Sequence, residues 1–145
     1  MSAMMPVDIT LTVSEAPGHK YDSAWSASAY VDAHGNMDFR KVVNPASITI
    51  HVKGQNLNVS FDPAADQAVM IEAGATGTCP TTPASKLPTG APFQGFTHPG
   101  NDPATIQFAN SNNDHMTWTY GLNVIRTNDD GTTETIVVDP AIINH

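Results

Sequence analysis

Apolar side chains fall on every second position through most of this chain, which is the period of half-buried β-strands, and no segment carries the period of a helix. The longest stripe is in HMTWTYGLNVIRT, where Met116, Trp118, Tyr120, Leu122 and Val124 share one face. Val7, Ile9, Leu11 and Val13 repeat the pattern near the N-terminus, and Trp25, Ala27, Ala29 and Val31 do so in SAWSASAYV. SITIHVKGQNLNVSF reads as a hairpin, with Ile48, Ile50 and Val52 answered by Leu57, Val59 and Phe61, and Gly54 is assigned the positive φ of its turn. AHGN, residues 33–36, is a turn, and NMDFRKV after it reads as a short polar strand suited to a sheet edge. DQAVMIEA, ATIQFAN and TETIVVDP supply further strands, the last folded back on its predecessor across NDDGT. Residues 63–68 hold at most one turn of helix. The count is eight or nine strands, and short strands between Gly- and Pro-rich turns predict a β-sandwich.

The expected architecture is therefore all-β: one immunoglobulin-like β-sandwich domain over residues 1–145, in preference to a jelly roll. A single Cys forbids an internal disulfide, so packing alone must hold the core. The exception to the alternation is GATGTCPTTPASKLPTGAPFQGFTHPGNDP, residues 74–103, with Pro at 80, 83, 88, 92, 99 and 103. Loops longer than about 12–15 residues are uncommon in compact domains and are functional or disordered where they occur. Proline stiffens such a segment and favours extended backbone. This segment is the predicted place for function.

Six basic residues against fourteen acidic give a net charge of −8, and Arg40–Lys41 is the only adjacent basic pair. Phosphate backbones and anionic membranes demand clustered Lys and Arg, so neither nucleic acid nor a membrane surface is an expected partner. No apolar run nears the roughly 20 residues of a spanning helix. MSAMMPVDITL lacks the basic and apolar regions of a leader, and with one Cys the expected location is the cytoplasm.

The C-terminal stretch WTYGLNVIRTNDDGTTETIVVDPAIINH resembles that of the DP-EP family, small bacterial β-sandwich proteins of uncharacterised function. The matching residues are Asp139–Pro140, Ile142 and Asn144, after an aromatic-rich hairpin. The resemblance implies a bacterial β-sandwich and no activity, cofactor or catalytic residue.

Signature motifs of nucleotide binding, zinc proteolysis, dithiol redox and serine hydrolysis are missing from the sequence, and no enzyme activity and no cofactor are expected. Cys79, His98, His115 and Met116 are soft or borderline ligands of the kind that hold copper in β-sandwiches, which makes Cys79, His98 and His115 candidate metal ligands. Their spacing fixes no geometry. The competing expectation leaves His98 solvated, His115 at a strand start and Met116 in the core. Oxygen-rich runs at Asn101–Asp102, Asn110–Asp114 and Asn128–Asp130 lack a calcium-loop spacing and read as turn formers.

For a carbohydrate-binding module the aromatic candidates are Tyr21, Tyr30, Phe93 and Phe96, while Trp25, Trp118 and Tyr120 fall on the core stripes. Phe93 and Phe96 are expected to pin the long segment to the sandwich, because aromatic rings left in solvent favour association. The leading expectation is a non-enzymatic module that binds another protein or itself, with Phe93, Phe96 and His98 as the candidate binding loop. A metal-binding protein and a carbohydrate-binding module are the alternatives.

Overall fold

The computed structural model describes residues 4–74, 82–83, 86–87 and 89–145. Its elements are β1 (Met5–Ala16), β2 (Lys20–Trp25), β3 (Met37–Asp38), β4 (Ala46–Gly54), β5 (Asn58–Phe61), α1 (Ala65–Ala68), β6 (Val69–Ala73), β7 (Phe93–Thr97), β8 (Thr105–Asn110), β9 (Thr117–Thr127), β10 (Thr133–Val138) and β11 (Ala141–Ile143). The fold is an all-β sandwich of two mixed sheets. The first has the order β2-β1-β4-β8-β7, with β1 and β4 parallel from Met5 opposite Ala46 to Val13 opposite Gly54. The second is built around β9. On one flank run β10 and then β11, which keeps the same register: Val138 faces Leu122 and Ala141 faces Thr119. Pro140 has no N–H for a ladder and marks the break, yet its carbonyl still accepts from the Tyr120 N–H at 2.9 Å. On the other flank β5 and β6 succeed each other, separated by α1. β3 extends the first flank by pairing in parallel with β11.

The alternating residues fill one core between the sheets. Leu11, Val13, Ile48, Ile50, Ile106 and Phe108 from the first sheet meet Phe61, Ile71, Tyr120, Leu122, Val124 and Ile142 from the second. Burial of this apolar surface is the main stabilising term, at roughly 25 cal/mol per Å² removed from water. Tyr120 carries the one large polar tip in this group, and its hydroxyl donates to the Gly35 carbonyl at 2.6 Å. That burial pushes the phenol pKa well above its ordinary value.

Several expectations need correction. The hairpin at SITIHVKGQNLNVSF does not form: β4 pairs with β1 and β8 in the first sheet, while β5 pairs with β9 in the second, so the chain crosses between sheets here. The left-handed residue at this crossing is Asn56, at φ 61°, rather than Gly54. Gly54 is required for space, since a Cβ there would lie 2.2 Å from the Leu57 carbonyl oxygen. In SAWSASAYV the strand stops at Trp25; Ala27 and Ala29 are exposed, and Val31 returns to the core with a single bridge to Met37. NMDFRKV yields a two-residue strand, and Phe39 beyond it is fully buried, its N–H donating to the Ile143 carbonyl at 2.8 Å. Among the described residues the strands number eleven instead of eight or nine, because β7 is too bent and β11 too short to show a period.

Candidate functional site

The sequence placed Phe93, Phe96 and His98 in a long loop, but residues 93–97 form β7, the edge of the first sheet beside β8. Phe93 is buried, edge-on to Phe108 (centroids 6.1 Å apart) and to Trp118 (5.5 Å), and so joins the two sheets. Phe96 stacks on Phe108 at 5.1 Å with 20° between planes. Between them the pairing slips at a bulge that contains Gly95 at φ +74°. Upstream of β7, Thr82 and Pro83 lie along β6: the Ile71 N–H donates to the Thr82 carbonyl at 2.9 Å, and Pro83 bridges Met70. These two residues cover part of the β6 edge of one sheet, and β7 supplies an edge to the other.

His98 is not a solvated loop residue. Its Nδ1 stands 2.9 Å from the Thr105 carbonyl oxygen, in the first sheet, and its Nε2 stands 2.9 Å from the Asp62 carbonyl oxygen, just after β5 of the second. Both ring nitrogens face backbone carbonyl oxygens, so the ring is a strut between the sheets. Beside it the Asp102 carboxylate accepts from the Ala104 N–H and the Thr105 hydroxyl, each at 2.9 Å. These bonds, the Ala104 N–H foremost, hold the Asp102 pKa below its ordinary value. His51 Nδ1 meets the same Thr105 hydroxyl at 2.8 Å.

His115 was expected at a strand start. It sits instead in a turn, at φ 56°, two residues before β9, which leaves Met116 outside the core stripe and 43 % exposed. Its ring lies 5.6 Å from that of His145. Cys79 lies outside the described residues. Among those described, no three His, Cys, Asp or Glu side chains converge as a metal site.

Sequence reasoning missed a buried amide network that holds the C-terminal segment. Asn112 is fully enclosed; its Nδ2 donates to the Val42 carbonyl at 2.8 Å and the Asn44 carbonyl at 3.2 Å, and its Oδ1 accepts from the His145 N–H at 2.7 Å. Asn110 Nδ2 donates to Asn144 Oδ1 at 2.8 Å, and Asn144 Nδ2 donates to Asp114 at 3.1 Å. No buried side-chain N or O among the described residues lacks a partner. These residues read as turn formers in the sequence, and a turn Asn and a buried Asn carry the same letter. Pro140, Ile142 and Asn144 of the C-terminal motif all serve architecture here.

Two surface regions remain. A cleft of about 640 Å³ is lined by Ser28, Tyr30, Asp32, Asp38, Thr117 and Ile143. Its carboxylates are already engaged: Asp32 accepts three bonds from His34 and Asn36, and Asp38 holds Arg40 through both oxygens. Tyr30 leans on Phe39 with centroids 5.9 Å apart. At the opposite flank, Arg126 of β9 binds the Glu15 carboxylate and donates to the Tyr21 hydroxyl at 2.8 Å. The Tyr21 hydroxyl donates to Glu134 at 2.9 Å, and His19 meets the other Glu134 oxygen at 2.6 Å. This cluster ties the β1–β2 hairpin to β10 from the inner side.

The edges of the sheets differ in how they are closed. Those of β5 and β6 are capped by the Phe61 N–H bond to the Pro103 carbonyl (2.7 Å) and by Thr82–Pro83. The β3 edge is covered by Tyr30 and Val31, with the Asp38 N–H donating to the Tyr30 carbonyl at 2.9 Å. β7 is bulged, and β2 turns Lys20 and Asp22 outward. β10 differs. Among the described residues its backbone bonds to β9 alone, and the side chains it exposes are Thr133, Thr135 and Val137. No helix among the described residues is long and apolar enough to cross a membrane. No protein-family model matches the chain, and no curated protein matches its sequence.

Proposed function

We propose that this chain is a non-enzymatic β-sandwich module that associates with a second copy of itself through the edge of β10. The observation that carries the reading is the contrast among edges: the others are capped, bulged or charged, whereas β10 offers a six-residue edge whose exposed side chains, Thr133, Thr135 and Val137, carry no charge. Its outer face continues onto β9, where Thr135 lies beside Ile125 and Val137 beside Asn123, again without charge. For a chain of net charge −8, an uncharged strip is where two copies approach with the least repulsion. Antiparallel pairing about a two-fold axis centred on Thr135 sets Thr133 of one copy opposite Val137 of the other and keeps the joint face uncharged. Such an edge contact belongs to the small, transient class, below about 1,200 Å².

The non-enzymatic part of the reading is supported by the cleft beside Tyr30, whose two carboxylates, Asp32 and Asp38, are committed to a turn and an ion pair. The resemblance of the C-terminal hairpin to DP-EP proteins agrees with it, since that family brings no activity. A cytoplasmic setting suits a chain with one cysteine. Sedimentation equilibrium over a concentration series tests the association: the wild type forms dimers, and Thr135→Lys and Val137→Lys each weaken association at least about tenfold, with stability changed by less than about 0.5 kcal/mol. A wild type that stays monomeric throughout, or association that survives both substitutions, refutes the proposal.

A further inference from the structure

We infer that His115 and His145 form a bidentate site for a borderline divalent cation of the zinc, nickel or copper type. The ring centroids are 5.6 Å apart and the planes inclined by 51°. With metal–nitrogen bonds of about 2.1 Å and about 1.1 Å from nitrogen to ring centre, two imidazoles on a tetrahedral ion have centroids roughly 5.2 Å apart. The observed spacing is about 0.4 Å longer than that value.

The hydrogen-bond pattern also fits. His145 Nδ1 lies 2.9 Å from the Arg40 carbonyl oxygen, which can only accept, so Nδ1 is the donor of that bond and Nε2 is the nitrogen left for a metal. A backbone carbonyl behind the distal nitrogen is the usual outer-shell arrangement of a metal-ligating imidazole. Among the described residues, no hydrogen bond engages either ring nitrogen of His115, so its lone pair is available too.

Both rings stand on fixed backbone. The His115 N–H donates to the His145 carbonyl at 2.9 Å, and the His145 N–H is held by Asn112. The turn that carries His115 is set by Asp114, whose carboxylate takes the Met116 N–H at 3.1 Å, Trp118 Nε1 at 2.8 Å and Asn144 Nδ2 at 3.1 Å. Two ligands leave the remaining coordination positions to water, which sets the affinity in a modest range and leaves the ion open to an outside donor. Imidazole donors select zinc, nickel or copper over magnesium or calcium.

Calorimetric titration of the whole chain with zinc chloride tests the site. The expected result is one equivalent bound, an affinity lowered at least about tenfold by His115→Gln and by His145→Gln, and no change with His34→Gln, which removes an exposed histidine elsewhere. His115 has no ring bond to lose, so circular dichroism of its variant stays that of the wild type. As a second readout, pulsed electron spin resonance of the copper(II)-loaded protein counts two coordinated imidazoles in the wild type and one in either variant. Absence of a stoichiometric zinc equivalent, or zinc affinity and imidazole count untouched by His115→Gln, overturns the assignment.

Discussion

β7 and β10 are both sheet edges, five and six residues long, and the chain treats them in opposite ways. β7 is fixed from within: Phe93 reaches across to Trp118, Phe96 stacks on Phe108, and His98 braces its end against both sheets. Its bulge breaks the ladder a neighbour would need. β10 is fixed from within as well, by Ile136 in the core and by Glu134 in the Arg126 cluster, but its outer edge stays regular. The difference follows from how each strand is reached. β7 lies in the sheet opposite to that of β6, the strand before it, and fixing its backbone there costs about 1–2 kcal/mol per residue of conformational entropy, which contacts must offset. β10 follows a tight turn from β9, where the Asn128 N–H bonds the Thr132 carbonyl at 2.8 Å, and its ladder suffices.

The largest test of this contrast is Phe93→Ala. Losing a buried aromatic that bridges the sheets should cost about 3–5 kcal/mol in denaturant unfolding, while β10-mediated association per folded molecule is unchanged. A cost below about 1 kcal/mol would mean that β7 is not anchored by this ring. Next in size is Gly95→Ala. A Cβ there meets nothing within 4 Å, so the expected loss of about 1–2 kcal/mol is purely the cost of positive φ for an L residue. An unchanged stability would show that the bulge relaxes and that the β7 edge is not locked.

The smallest effect is on the β10 side. Glu134, by its hydrogen bond and then its charge, raises the pKa of His19 above 6.5, and His19 with Tyr21 lowers that of Glu134 below 4.5. Stability from a raised histidine is fully present below its unfolded value and is lost as pH rises through its folded value. Stability from a lowered carboxylate is present above its unfolded value and is lost as pH falls. The pair therefore acts mainly between about pH 4.5 and pH 6.5 and fades above. His19→Gln should differ from the wild type in thermal midpoint at about pH 5.5 and match it at about pH 9. Because the His19 side chain is 62 % exposed, the shift is small.

Strands whose two faces see different surroundings were legible from sequence. β1, β4, β8, β9 and β10 all stand where the alternation puts them, and the turn between β9 and β10 was given by its Asn, Asp and Gly. The same alternation could not say which sheet a strand joins, because inward and outward faces look alike in both; this is why β4 and β5 read as a hairpin. A strand of three residues, such as β11, holds too few positions for a period, and NMDFRKV, read as a short strand, keeps only two residues of ladder as β3. FQGFT has its period broken by the bulge at Gly95. As for the sites, Phe93 and Phe96 pack against the body as their apolarity suggested. The rings of His115 and His145 are brought together only by the amide network around Asn112, and nothing local in the sequence announces it. That TETIVV would be an edge was likewise invisible, since its status depends on what β3 and the 28–36 segment cover.

The pairing of β3 with β11 has a consequence for the order in which the molecule can be made. β3 emerges in synthesis about a hundred residues before its ladder partner β11, so while that span is being made Met37 and Phe39 lack the strand that helps to bury them. The second sheet seals at that rim only when Ile142 arrives, and a nascent chain arrested before it would present those two side chains to whatever chaperone is near.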